Sequence, residues 1–314
     1  MTLGMTRQLS LTTPVMHGDD VLAVQHRLAA LGAAVTPDGT FGEATRDAVR
    51  HFQVQAHLPD DGVVGSVTWA ALFPDGAAPI LPSDPLAPDT IRRLAELHGY
   101  FQDGCSWRVT PDGVAIGDSD AVVPAPADRT LAGSVLARFR EPILAAINAH
   151  PVPIENVLAC ICTESSGNPA PPVRLEPGCN LQDPSLTPSR CSHGLMQTLL
   201  STARAALHDP ALPLDALARP EVSIMAGTAY MAQQAQQTRH DPPLAAAAYN
   251  AGSLRHDASP ANRWRLVQYP IGTSRHVDRF VGFVNAAMAL IDAAGLPEGV
   301  PSLRRLLRGA ASEG

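Results

Sequence analysis

The feature that most constrains the fold of this chain is an internal repeat near its N-terminus. The segment DGTFGEATRDAV begins at Asp38, and DGVVGSVTWAAL begins at Asp61. Each copy starts with an Asp-Gly pair, which favours a tight turn, and continues with a threonine that opens a short helix. The stretch before each copy has helical apolar spacing, which in the first stretch places these residues on one face: Val21, Val24, Leu28 and Leu31. We therefore predict a compact three-helix unit with internal pseudo-symmetry over residues 15–74.

The repeat also resembles the signature of the peptidoglycan-binding domain type 1 family. The matching positions are Gln25, Asp38, Gly39, Phe41, Gly42, Thr45, Phe52, Gln53, Asp61, Gly62, Thr68 and Trp69. The resemblance implies that this unit binds cell-wall peptidoglycan through a shallow groove. The alternative is a generic helical bundle in which the glycines only form turns.

The composition argues against several classes of protein. Hydrophobic residues make up 45% of the 314-residue chain, which is enough for buried cores. The net charge of −7 argues against a nucleic-acid-binding protein and against a polybasic membrane-surface protein. No run approaches the roughly 18–20 apolar residues that a membrane-spanning helix needs, and the N-terminus has no apolar core of signal-peptide length. We expect a chain that is made in the cytoplasm, has no integral membrane segment, and reaches any target outside the cell without a standard signal peptide.

The cysteines give little sign of metal or redox chemistry. They are Cys105, Cys160, Cys162, Cys179 and Cys191, and their odd number excludes a fully paired set within one chain. Cys160 and Cys162 are two residues apart on a predicted helix, so they point in different directions, and we interpret them as small buried apolar residues. No His/Cys spacing resembles a zinc site, and we expect neither a metal nor a cofactor. Cys179 and Cys191 bracket a Pro-rich loop, and both a free pair and a disulfide are compatible with the sequence.

The rest of the chain divides by composition and periodicity. Residues 75–90 are Pro-rich and lack periodic apolar spacing, which is typical of a semi-rigid linker. Residues 91–127 predict a short helix and a hairpin that turns at PDG, and we interpret them as a small cap packed on the next domain. Residues 128–298 show repeated helical spacing and predict an all-α domain, followed by a tail over residues 299–314. The predicted fold class is mainly α.

Three short motifs lie at helix boundaries of the predicted all-α domain. They are ESSGNP from Glu164, GLMQ from Gly194 and YNAG from Tyr249. Side chains at helix boundaries can project into a cleft rather than into the core. In identity, order and spacing the three motifs resemble the lytic transglycosylase family of the lysozyme-like superfamily, of the SLT type. The resemblance implies a lysozyme-like fold and cleavage of the glycan strands of bacterial peptidoglycan.

Glu164 is the predicted catalytic acid. Cleaving a glycosidic bond requires a carboxylic acid that is still protonated near neutral pH. Glu164 follows Leu158, Ile161 and Cys162 on one predicted helix, and burial among apolar residues disfavours a charged carboxylate and raises its pKa. The helix dipole also disfavours an acid near a helix C-terminus. Since the sequence shows no evident cationic partner, catalysis explains this glutamate better than stability does.

The resemblance further implies a mechanism with one carboxylate. Glu164 would protonate the oxygen that bridges MurNAc and GlcNAc, and would then remove the proton from the MurNAc 6-hydroxyl, which closes a 1,6-anhydro ring without water. Met196 and Gln197 of the GLMQ motif would contact the sugar. Tyr249 and Asn250 would line the opposite wall, with the phenol near Glu164. The alternative for these two residues is helix-end packing and capping.

One stretch departs from the common pattern of the family. The loop between Pro169 and His193 is longer than usual, and it contains an R-x-E-P segment that begins at Arg174. Glu176 in this segment is either a second acid that positions a water, which favours hydrolysis by a muramidase, or the partner of a surface cation. Ser192 is a candidate contact for the N-acetyl group of the substrate.

A basic segment, NRWRLVQYPIGTSRHVDRF, follows the YNAG motif. Its members of interest are Arg263, Trp264, Arg265, Arg275, His276 and Arg279. The segment predicts either a clamp for the carboxylates of the peptide stems or a solvated basic face that closes the last helix.

The biological setting has several candidates. Besides a lytic transglycosylase and a muramidase, a third functional hypothesis is a non-catalytic structural protein that binds the cell wall. The complete set of motifs argues against this third hypothesis. A wall-directed lysin without a signal peptide suits a phage endolysin that is released through a holin-type membrane hole, and it also suits an effector with specialised export. We expect a monomer whose partner is peptidoglycan.

Overall fold

The structure is a computed structural model that describes residues 8–13, 15–17, 19–33, 35–36, 39–56, 58–73, 88–119, 121–297 and 299–312. Asp38 of the repeat signature and residues 75–87 of the predicted linker lie outside the described residues. The chain divides into two compact units, Met1–Ser83 and Asp84–Gly314.

In its described residues, the first unit contains three helices around a small apolar core. They are α1 (Asp19–Ala30), α2 (Glu43–Gln55) and α3 (Ser66–Leu72). The core contains Leu9, Val21, Val24, Leu28, Phe41, Val49, Val64 and Leu72, all fully buried. Leu31, which the helical spacing places on the same face, is 48% exposed instead. The reason is that α1 ends at Ala30 and the chain turns away through Gly32, whose φ is +90°.

The first copy of the repeat is held by a buried glutamine of the preceding helix. Gln25 on α1 accepts a hydrogen bond at Oε1 from the amide of Gly39, at 2.7 Å. Its Nε2 donates to the carbonyl oxygen of Thr40 at 3.0 Å and to Oγ1 of Thr45 at 2.8 Å. Gly39 has a φ of +73°, which a glycine adopts without the steric cost of a side chain.

The second copy of the repeat uses the same arrangement. Gln53 on α2 accepts from the amide of Gly62 at 2.9 Å and donates to the carbonyl oxygen of Val63 at 3.0 Å and to Thr68 Oγ1 at 3.1 Å. Its Nε2 also donates to Asp61 Oδ1 at 2.8 Å. Gly62 has a φ of +72°, almost equal to that of its counterpart in the first copy. The pseudo-symmetry that the sequence predicts is therefore present in the hydrogen bonds as well as in the helices.

The second unit is mainly helical. It begins with α4 (Pro88–Ala95), a hairpin of β1 (Trp107–Thr110) and β2 (Gly113–Ile116), and the long helix α5 (Pro126–Ala149), which bends at Phe139 ahead of Pro142. Then come α6 (Ile154–Ser165), α7 (Leu200–Ala206), α8 (Pro220–Thr238), α9 (Pro242–Ala251), α10 (Arg275–Met288) and α11 (Leu303–Ser312). Short 3-10 turns lie at Pro184–Leu186, Pro188–Arg190, Leu214–Ala218 and Ile291–Ala294.

Helix α6 forms the centre of the second unit. Every residue from Ile154 to Thr163 is buried, and the helix packs against α5 and α10. Cys160 and Cys162 lie in this core as free thiols, and the other three cysteines are free as well. The two cysteines on α6 therefore act as small packing residues beside the end of the helix that carries Glu164.

A small antiparallel sheet accompanies the helices and is not evident in the sequence. Its strands are β3 (Arg174–Leu175), β4 (Cys191–His193) and β5 (Thr198–Leu199), in the order β3-β4-β5. Strands of two or three residues are too short to show an alternating apolar pattern. The sheet joins the long loop after α6 to the GLMQ turn, so it places both beside the C-terminal end of α6.

The hairpin over residues 107–116 forms where the sequence predicts it, and it is anchored to the helical core. His98 Nε2 lies 2.6 Å from Asp241 Oδ2, and Trp107 Nε1 donates to the same carboxylate at 3.0 Å. The amide of Val114 donates to Asn285 Oδ1 on α10 at 2.8 Å. Trp107 is fully buried. The segment therefore contributes to the core of the second unit.

The C-terminal segment contains a helix that is capped from the core. The fully buried carboxylate of Glu155 on α6 accepts from Ser302 Oγ at 2.7 Å and from the amides of Leu303 and Arg304 at 3.0 and 3.1 Å. These groups lie at the N-terminus of α11, where an anion is favoured by the unpaired amides and the helix dipole.

Among the helices that the structure describes, none is both long and apolar enough to cross a bilayer.

Candidate active site

The three motifs meet at one cleft of about 550 Å³ in the second unit. Of the residues predicted from the sequence, those in its lining are Glu164, Glu176, Ser192, Gln197, Tyr249 and Asn250. Arg174, Arg190, Tyr230 and Tyr269 contribute further to the walls. The ends of α6 and α9 are thus brought together with the turn between β4 and β5 around one open space. The GLMQ motif forms this turn between two strands, and does not lie at the helix boundary that the sequence predicts.

Glu164 lies at the C-terminal end of α6 with its side chain 12% exposed. Burial raises the pKa of Glu164 to about 7, against the opposing charges of Arg174 and Arg279. A large fraction of this carboxyl group is therefore protonated at neutral pH, as a general acid requires.

Arg279 on α10 closes the end of α6 beside Glu164. Its Nη2 donates to the carbonyl oxygen of Cys162 at 3.2 Å and to Ser166 Oγ at 2.7 Å. Ser166 has a φ of +55°, so α6 stops there in the left-handed conformation that commonly ends a helix. The arginine therefore binds the C-terminal turn of α6, the turn that carries Glu164.

The GLMQ turn depends on Gly194, because any other residue there would have to displace the neighbouring Leu217 backbone and Ser223. Gly194 has a φ of +80°, and a Cβ atom there would collide with the carbonyl oxygen of Leu217 and with Ser223. Gln197 follows with a φ of +46°, donates through Nε2 to the carbonyl oxygen of Gly194 at 3.0 Å, and accepts at Oε1 from Ser192 at 3.3 Å. Ser192 and Gln197 therefore lie side by side in the cleft lining.

Met196 lies beneath the cleft rather than in its lining, which differs from the sequence expectation. Its side chain is fully buried and packs onto Gly227 of α8. Its carbonyl oxygen accepts a hydrogen bond from the phenol of Tyr249 at 2.9 Å, and the same phenol lies 2.9 Å from Thr198 Oγ1. Met196 thus supports the wall that Tyr249 forms.

Glu176 and Arg174 form an ion pair at the rim of the cleft. Nε of Arg174 lies 2.9 Å from Oε1 of Glu176, and the two side chains are 57% and 36% exposed. Glu164, the other carboxyl group in the cleft lining, is 12% exposed and has no such partner at the rim.

His276 was not singled out by a motif, yet it lies against Glu164. Its Nε2 is 3.6 Å from Oε1 of Glu164, and its side chain is 10% exposed. Burial first, then the charges of Arg279 and Arg174, lower the pKa of His276 to about 4. At neutral pH the contact therefore joins a neutral imidazole to a carboxyl group and is no ion pair.

Three other members of the basic segment, Arg263, Trp264 and Arg265, are bound within the protein, whereas Arg275 is exposed. Arg263 forms an ion pair with Asp278 at 2.7 Å, and the fully buried Trp264 donates to the same carboxylate at 2.8 Å. Arg265 lies 3.4 Å from Asp103. The segment is a structural element that closes onto α10, and it places His276 on the first turn of that helix.

Within the described ranges, no group of three or more His, Cys, Asp or Glu side chains is placed to hold a metal ion. The cleft offers an acid, amides, hydroxyls and phenols, which are groups that bind and protonate sugars.

The signature residues of the first unit are mostly internal. Gln25 and Gln53 are each 1% exposed, Thr45 is 2% exposed, and Phe41 is fully buried. They hold the two turns of the repeat and therefore preserve the fold. Residues that contact a ligand must be sought elsewhere on the surface of this unit.

Two regions of the chain match known families. Residues 17–72 match the model described as "Putative peptidoglycan binding domain", and residues 141–265 match the transglycosylase SLT domain. The second match includes all three cleft motifs and ends before Tyr269 and His276. Both resemblances inferred from the sequence are confirmed.

A likeness to a solved structure adds nothing to these matches. The structure titled "Crystal structure of Burkholderia AP3 phage endolysin" is 17% identical over 98% of this chain and 100% of that chain, with a TM-score of 0.21. At this TM-score the likeness carries no argument about the fold or the activity of this chain.

Proposed function

We propose that this chain, an enzyme in which a peptidoglycan-binding domain precedes a transglycosylase SLT domain, breaks the β-1,4 bond between MurNAc and GlcNAc with a single catalytic glutamate. The observation that carries the proposal is the buried carboxyl group of Glu164, whose pKa of about 7 keeps a large part of it protonated at neutral pH. It lies in a cleft that is lined by all three motifs.

The proposed reaction needs one acid that later acts as a base. Glu164 donates its proton to the bridging oxygen, the bond from that oxygen to C1 of MurNAc breaks, and the proton leaves with GlcNAc. The substrate's own N-acetyl group stabilises the developing cation. The Glu164 carboxylate then takes the proton of the MurNAc 6-hydroxyl as its oxygen bonds to C1. The product is 1,6-anhydro-MurNAc, no water is consumed, and Glu164 is protonated again.

The surroundings of Glu176 favour this route over hydrolysis. A muramidase of the usual kind employs a second carboxylate as nucleophile or as base for a water. Glu176 is the candidate in the cleft lining, but its carboxylate is bound to Arg174 at the rim. The non-catalytic alternative is also disfavoured, because a buried acid with a raised pKa lowers the stability of a purely structural protein at neutral pH.

The first unit would deliver the enzyme to its substrate. Attachment to peptidoglycan raises the local concentration of glycan strands at the cleft of the second unit. We propose that the enzyme acts as a monomer on the cell wall, after holin-type release or specialised export.

Product analysis tests the proposal directly. Purified sacculi are digested in water enriched in ¹⁸O, and the products are identified by mass spectrometry. Anhydro-MurNAc ends without ¹⁸O support the proposed reaction, whereas reducing MurNAc ends with ¹⁸O would establish a muramidase. Glu164→Gln should abolish cleavage, and Glu176→Gln is the matched control that should still yield anhydro ends. Activity that survives in Glu164→Gln would refute the assignment of the acid.

A further inference from the structure

We propose that His276 is a positioning residue for Glu164: its neutral imidazole donates a hydrogen bond from Nε2 to the Glu164 carboxylate that forms when the acid has given up its proton. The inference rests on the proposed function, since it concerns the ionised form of the catalytic acid. It starts from the 3.6 Å between Nε2 of His276 and Oε1 of Glu164, two side chains that are 10% and 12% exposed.

The orientation of the imidazole is set from its other side. The amide of Tyr269 donates to Oδ1 of Asn250 at 2.5 Å, which directs the NH2 group of Asn250 the other way. Nδ2 of Asn250 then donates to Nδ1 of His276 at 3.4 Å. Because Nδ1 is the acceptor, the single proton of the neutral ring resides on Nε2, which faces Glu164. The YNAG motif thus acts on the catalytic acid through a histidine that lies outside it.

A neutral donor suits this position better than a charged one. An imidazolium at this distance would favour the ionised carboxylate and remove the proton that the first step needs. The charged and titratable groups around the pair come from four elements: Arg174 on β3, Arg279 and His276 itself on α10, Tyr249 on α9 and Cys160 on α6. Glu176 and Arg190 lie further out in the cleft lining. Two arginines beside a buried ring both oppose its protonation.

The hydrogen bond becomes important when Glu164 is ionised. The 3.6 Å between His276 Nε2 and Glu164 Oε1 exceeds the usual length of an N–H to O hydrogen bond. While Glu164 is protonated, this contact therefore contributes little stabilisation. When the proton leaves, a carboxylate is exposed to a water-poor site, and a small approach of the two groups forms a charge-assisted bond. A stabilisation that appears with the charge accelerates the chemical step rather than substrate binding.

The test compares a variant that keeps the donor with one that removes it. His276→Gln retains an N–H at a position close to Nε2, whereas His276→Phe retains the ring volume without a donor. Rates are measured on soluble, uncross-linked glycan strands across the pH range with the full-length protein. We expect His276→Phe to lower kcat by about 10- to 100-fold with KM within about twofold, and His276→Gln to stay within a few-fold of the parent enzyme.

The pH profile separates this role from simple packing. A hydrogen bond to the charged form lowers the pKa of an acid, so its loss in His276→Phe should move the alkaline limb of the rate profile to higher pH. The proposal is wrong if His276→Phe changes neither kcat nor the position of the alkaline limb. It is also wrong if both variants lose activity equally while the alkaline limb stays at the pH of the parent enzyme. His276→Leu replaces His276→Phe if the latter does not fold. These outcomes are distinct from a failure of the proposed function, which would appear as activity in Glu164→Gln or as reducing ends.

Discussion

Replacing Glu164 by glutamine should stabilise the second unit at neutral and alkaline pH. Burial raises the pKa of Glu164 to about 7, from an ordinary value of 4.5. An acid whose pKa is higher in the folded than in the unfolded state costs no stability below pH 4.5. The cost grows as the pH rises from 4.5 to about 7 and is constant above. At about 1.4 kcal/mol for each tenfold change in the ionisation constant, the full cost is about 3 kcal/mol.

Urea denaturation between pH 4 and pH 9 measures this cost. Glutamine has nearly the shape of a protonated glutamate and has no charge at any of these pH values. We expect Glu164→Gln to match the parent protein near pH 4 and to exceed it by about 3 kcal/mol in free energy of unfolding at pH 8. Glu176→Gln serves as the control, because its ion pair with Arg174 lies at the surface and contributes at most about 1 kcal/mol. Equal stability of Glu164→Gln and the parent at pH 8 would refute the argument that burial keeps this acid protonated.

Three further predictions follow from the described contacts. The value of kcat/KM on sacculi should fall as the pH rises through about 7, since free enzyme with an ionised Glu164 has no proton to donate; a flat profile from pH 6 to pH 9 would contradict this. Gln53→Leu should cost the first unit about 2–4 kcal/mol, because buried partners lose their hydrogen bonds, and sacculus pelleting should show weaker binding of the full-length protein. Glu155→Ala should destabilise the second unit by about 3 kcal/mol in urea denaturation, because the buried donors at the start of α11 lose their acceptor. Its control, Glu96→Ala, removes an exposed pair with Arg92 that is worth about 0.3–0.5 kcal/mol.

Local patterns in the sequence were sufficient to predict the helices and the repeat and to identify the three motifs. Asp-Gly turns and helical spacing are properties of neighbouring residues, so they predict the three-helix unit without knowledge of its packing. The same holds for the hairpin at residues 107–116. The short strands β3 to β5 escaped prediction, because two or three residues carry no periodic signal and their pairing depends on distant partners.

The sequence by itself predicted that Glu164, Gln197, Tyr249 and Asn250 belong to one site, because their motifs resemble those of one family, and the four residues do lie in the lining of one cleft. Only the tertiary structure decided what each side chain contacts. It placed Met196 under the cleft and His276 against the acid. It also made Gln25 and Gln53 internal supports. The physical reason is that burial and electrostatic environment arise from groups far apart in the chain, as when Arg279 on α10 binds the end of α6.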